Sequence, residues 1–82
     1  MSETLVCAEF VQRIGYTVID GVRVVQHTCV LPVADPKGVR VSMTKLNGEL
    51  YEANLETCMQ DHMIFQRAAF QLRNEYLAKI NN

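Results

Sequence analysis

Two cysteine–histidine pairs hold most of the chemical potential in this chain: His27-x-Cys29 and Cys58-x-x-x-His62. Residues two apart on a strand share a face, and residues four apart on a helix share a face. All four side chains could therefore converge between one strand and one helix. Two thiolates and two imidazoles make a tetrahedral zinc set with bonds of about 2.0–2.3 Å, and a bound ion would supplement a small core. Structural zinc sites of that composition bring their cysteines together on a tight knuckle, whereas here each cysteine is paired with a histidine on a separate element. The missing knuckle weighs against His27, Cys29, Cys58 and His62 as ligands, so no metal is favoured and no cofactor is expected.

Thiol catalysis would use Cys29 or Cys58 as nucleophile and His27 or His62 as base, in electropositive, partly open surroundings that lower the thiol pKa. No glycine-rich turn presents either cysteine. The four glycines, at positions 15, 21, 38 and 48, stand singly and form neither a phosphate cradle nor a dinucleotide pattern. A core built from 82 residues leaves little chain for a substrate cleft, so a non-enzyme is expected. The carboxylates Glu49, Glu52, Glu56 and Asp61 read as a solvated rim and a favourable helix start.

Positioning falls to two hairpins and a helix. Residues 5–19 are rich in Val, Ile, Phe, Tyr and Thr, with Gly15 as the place for a bend, and Asp20-Gly21 supplies a type I′ turn into a second strand over 22–31. Pairing Ile19 with Val22 places Phe10, Ile14, Tyr16, Val18, Val25, Cys29 and Leu31 on one face. Val11, Ile19, Val22, Val24 and Val30 then lie on the other. A one-residue slip near Gly15 would exchange the faces of the first strand. Pro32 to Gly38 is a loop, and Val39, Val41 and Met43 alternate with polar residues in a third strand over 39–46. Asn47-Gly48 closes a second hairpin with a fourth strand over 49–53.

Asn54 is a suitable N-cap, Glu56 suits the first turn, and neither Gly nor Pro interrupts a helix over 55–80. Leu55, Cys58, Met59, Met63, Phe65, Ala69, Phe70, Leu72, Tyr76, Leu77 and Ile80 form its apolar arc. His62, Gln66 and Arg73 fall on the same arc and require partners, because an unpaired buried polar group costs about 1–3 kcal/mol. Gln12, Arg23 and His27 are the expected mates on the sheet, with Glu9 or Glu52 for Arg73. The expected architecture is one α+β domain over residues 1–82: a four-stranded antiparallel sheet of two hairpins with one long C-terminal helix packed across a face, ββββα.

The balance of 8 basic and 9 acidic residues leaves no electrostatic footprint for nucleic acid. No stretch has the apolar length of a membrane span, and Met1-Ser2-Glu3-Thr4 lacks the basic start of a secretory signal, so a cytoplasmic setting is expected. Cys7, Cys29 and Cys58 are odd in number and widely spaced, which points to reduced thiols. Nearly half of the residues are hydrophobic, yet a domain of this size hides only about 60–65% of its unfolded surface. The helix, at about 39 Å, also outruns strands of about 26–34 Å. Both features favour a small non-catalytic assembly or protein-binding module acting as a homodimer, its seam using Val11, Val22, Val24, Tyr76, Leu77 and Ile80. The metal-binding module is the alternative.

Overall fold

The computed structural model describes residues 8–80, in which three strands and two helices follow one another. Strand β1 (Phe10–Ile19) turns through Asp20 and Gly21 into β2 (Val22–Pro32), and β3 (Arg40–Lys45) completes an antiparallel sheet of order β1-β2-β3. The turn is the expected one: Asp20 and Gly21 have φ of 50° and 79°, which only a short polar residue and glycine adopt at low cost. A short 3-10 turn, Pro36–Gly38, with buried Pro36 at its start, carries the chain from β2 to β3. Residues 5–7 of the expected first strand, and Cys7, lie outside the described residues.

The expected fourth strand is a helix, α1 (Gly48–Ala53), so the sheet has three strands and not four. Asn47-Gly48 does not form a type I′ turn, since Asn47 has φ −137° and that turn requires positive φ at both central residues. Asn47 instead caps the helix, its side-chain oxygen accepting from the Leu50 N–H at 3.0 Å. Glu49, Leu50, Glu52 and Ala53 are strong helix formers, and without the turn nothing holds them extended. The Val24 carbonyl accepts from the Leu46 and Asn47 N–H groups, at 2.8 and 3.2 Å, which ends the ladder where α1 begins.

Helix α2 (Leu55–Ile80) has the expected bounds. Asn54 sits at its start, where its carbonyl accepts from the Cys58 N–H, but its side chain reaches backwards and donates to the Leu50 carbonyl at 3.0 Å. It is the joint between the helices. The helix runs in the direction of β2: Cys58 joins the core with Val24 and Val25, His62 meets His27, and Ala69 and Leu72 lie over Cys29. None of the described helices is long and apolar enough to cross a membrane.

A bulge decides which side chains face α2. Thr17 pairs with Val25 but Val18 pairs with Arg23, so Val24 is an extra residue on β2. Both Val24 and Val25 are buried as a result, and the faces of β1 are exchanged relative to the simple register. Val11, Arg13, Gly15, Thr17 and Ile19 face the helix, whereas Phe10, Ile14, Tyr16 and Val18 point away and are exposed. The slip occurs at Val24, on the other strand from Gly15. Val24, Val25, Tyr51 and Cys58 form the core, with Ile19, Met43 and Leu50 packed against it. Cys29, Leu31 and Ala69 are buried as well. With Val24, Val25 and Leu31 as its only fully buried large aliphatic side chains among the described residues, at about 1.5–3 kcal/mol each, the core is small.

Candidate functional site

Beneath the first half of α2 lies a three-membered polar chain. His27 is on the inner face of the central strand, flanked by Gly15 on β1 and Met43 on β3. Gly15 has no side chain to hold the helix off: a Cβ there would lie 3.3 Å from the Phe65 ring, tighter than ordinary contact. Thr17, one inward position along β1, brings Oγ1 to 2.8 Å from His27 Nε2, and His62 brings Nδ1 to 3.0 Å from His27 Nδ1. The two imidazoles stack with centroids 5.2 Å apart and planes 29° apart, and Phe65 tilts against His27 at 5.6 Å.

Two proton arrangements satisfy this chain. In one, Thr17 donates to His27 Nε2 and His27 Nδ1–H donates to His62. In the other, His62 Nδ1–H donates to His27, whose Nε2–H donates to Thr17. Either way a single proton occupies the space between the two Nδ1 atoms. Burial holds the His27 pKa below the ordinary imidazole value, reinforced by His62 and opposed by the Asp61 carboxylate. No buried side-chain nitrogen or oxygen among the described residues lacks a partner.

Hydroxyl, imidazole and imidazole stand in the order nucleophile, base and orienting group that acyl-transfer enzymes use. Thr17 is only 1% exposed, however, so a substrate carbonyl has no path to it. The two candidate cysteines are also buried, with thiol pKa values pushed up. For Cys29 burial outweighs the opposing Arg13 charge, and for Cys58 burial is reinforced by Asp61. A nucleophilic thiolate needs the opposite setting.

His27 and His62 do come together as the sequence pattern suggested, but Cys29 and Cys58 do not join them. Among the described residues no group of three or more His, Cys, Asp or Glu side chains is placed to hold a metal ion. Cys29 lies one inward position beyond His27 on β2, while Cys58 lies a helical turn before His62 in the Val24–Val25 core. Thr17, the second partner of His27, was not expected because the simple register put it on the other face. Its signal is the adjacent pair Val24-Val25, two β-branched residues that a bulge buries together.

Other expected partners lie elsewhere. Gln12 and Arg23 point away from the helix, and Arg23 stacks on Tyr16 at 4.2 Å. Arg73 rests over Phe70 at 4.7 Å and donates to Asn74, without Glu9 or Glu52. Along the expected apolar arc of α2, Cys58 and Ala69 are buried, whereas Leu55, Met59, Met63, Phe70 and Ile80 are exposed. Of the expected seam residues, Val24 is buried inside the subunit and offers no surface. Val22 and Ile80 are exposed, and Val11, Tyr76 and Leu77 are half-buried.

Two hollows open along the β1 side of the helix. One of about 430 Å³ is lined by Arg13, Ile14, Cys29, Phe65, Leu72 and Glu75. The other, of about 350 Å³, lies beside His27, with Gly15, Tyr16, Asp61 and Ala68 in its wall. No protein-family model, curated protein or solved structure matches the chain.

Proposed function

We propose that this protein is a non-catalytic assembly module that works by association of its own subunits. The observation that carries this reading is the surface that one subunit leaves uncovered. Its accessible area is 6097 Å², against about 5000 Å² for a folded monomer of this mass. The radius of gyration is 16.4 Å, where a domain of this length averages about 12 Å. The molecule is a thin two-layer slab, 57 × 31 × 17 Å, and its core is confined to the one layer between sheet and helices.

Apolar side chains account for much of the uncovered area. Phe10, Ile14 and Val18 on the sheet and Met63, Ile64 and Ile80 on the helix are each about half or more exposed. Exposed apolar surface of this kind, on the sheet and on the helix, is what association sites present. A second copy is the simplest partner, because homo-oligomers with two-fold symmetry are the commonest assemblies.

Sedimentation velocity and light scattering across a dilution series test the reading. A concentration-dependent dimer or higher homo-oligomer is expected. A strict monomer at every concentration would remove it.

A further inference from the structure

The geometry points to the open edge of β1 as the seam: two copies pair their β1 strands antiparallel about a two-fold axis at Ile14, making one six-stranded sheet. This rests on the association reading and names its surface. Among the described residues, no strand pairs with the outer edge of β1. The Val33 N–H donates to the Glu9 carbonyl at 3.0 Å, which fixes the ladder phase. Odd-numbered residues of β1 bond to β2, and Gln12, Ile14 and Tyr16 send their N–H and C=O groups to the open side.

The two edges of the sheet are unequally protected. β3 is six residues long with Arg40 and Lys45 at its ends, which discourages strand addition. β1 is ten residues long, contains Arg13 as its one charged residue, and carries Phe10, Ile14, Tyr16 and Val18 on its outer face. A long apolar edge of this kind is a template for another strand.

The register follows from the side chains. Centring on Ile14 pairs Phe10 with Val18 and Gln12 with Tyr16 of the second copy, so the groups on the open edge meet as hydrogen-bonded pairs. Centring one residue position earlier, on Arg13, sets like charges directly opposite each other, which is destabilising. About Ile14, each Arg13 instead falls opposite Gly15 of the second copy, the one position in the strand without a side chain to obstruct it. Asp61 lines the same hollow as Gly15, so each guanidinium comes beside a residue of opposite charge. Within its own subunit the Arg13 guanidinium donates to the neighbouring Gln12 carbonyl at 3.3 Å.

Site-specific cross-linking and charge reversal test the seam in a Cys7→Ser background. Ile14 and Val18 are both exposed, so a cysteine at either leaves the core untouched. Only Ile14→Cys places its thiol opposite itself across the axis. Rapid disulfide formation by Ile14→Cys but not by Val18→Cys is the expected result. Arg13→Glu should weaken the dimer by about tenfold or more, and adding Asp61→Arg should restore it, as a merely structural defect would not permit. A dimer that forms without cross-linking at position 14, or that ignores Arg13→Glu, overturns this seam and leaves the association reading standing. A chain that stays monomeric overturns the association reading itself.

Discussion

The Nδ1 atoms of His27 and His62, from the central strand and the first half of α2, face each other at 3.0 Å with room for one proton. This contact registers the helix on the sheet together with Cys58 in the core and the Phe65 ring over Gly15, while Leu55, Met59, Met63 and Phe70 on the same helix remain exposed. Protonating both rings would set two N–H groups against each other.

Acid should therefore loosen the helix from the sheet. The folded chain holds His27 below the ordinary imidazole pKa, through burial first and then His62, with Asp61 partly compensating. The unfolded chain takes up that proton at about pH 6.5. Protons bound by the unfolded state in excess make stability rise with pH. The contribution is complete above about pH 6.5 and is lost as pH falls from there towards the lowered folded value. Urea unfolding midpoints should decline over that window, and His27→Gln should flatten the decline while lowering stability at neutral pH. An equally steep acid decline in His27→Gln would show that other groups are responsible.

Thr17→Val keeps the shape of the side chain but takes the hydroxyl from His27 Nε2. Leaving that buried nitrogen unpaired should cost about 1–3 kcal/mol in chemical denaturation. Thr17→Ser should recover most of the loss, because Oγ is restored at a site where the bond is 2.8 Å. If Thr17→Val is as stable as the parent, the hydroxyl does not hold His27.

Cys29 and Cys58 should both be slow to alkylate in the native protein and fast in denaturant. Each is buried, and burial raises each thiol pKa, so the reactive thiolate is scarce until the structure opens. Mass-resolved labelling at neutral pH reads the two sites separately. Rapid labelling of either one in the folded state would revive thiol chemistry there.

The sequence made α2 legible because a single period runs unbroken for 26 residues, and it made the first hairpin legible because Asp20-Gly21 suits positive φ. The meeting of His27 and His62 was readable from strand and helix spacing. The faces of β1 were not, since a two-residue period has no memory across an inserted residue, and Val24 shifts every earlier partner by one. Thr17, and the outward Phe10, Ile14, Tyr16 and Val18, all follow from that one bulge. Asp61 reads as part of a solvated rim because helix position alone does not show which flank leans towards β1.

Asn47-Gly48 misled for a different reason: the same two residues satisfy a hairpin turn and a helix start, and only the following residues discriminate. The two roles make opposite predictions for substitution. As an N-cap, Asn47→Ala should cost about 1 kcal/mol by exposing the Leu50 N–H that its side chain now satisfies. Gly48 begins α1 with open space where a Cβ would stand, so Gly48→Ala should be neutral or stabilising by up to about 1 kcal/mol. Gly21→Ala, at φ +79°, should instead cost about 1–2 kcal/mol. Thermal or urea unfolding of the three variants separates the roles. A Gly48→Ala variant as damaged as Gly21→Ala would mean that the chain turns at 47–48 as a hairpin after all.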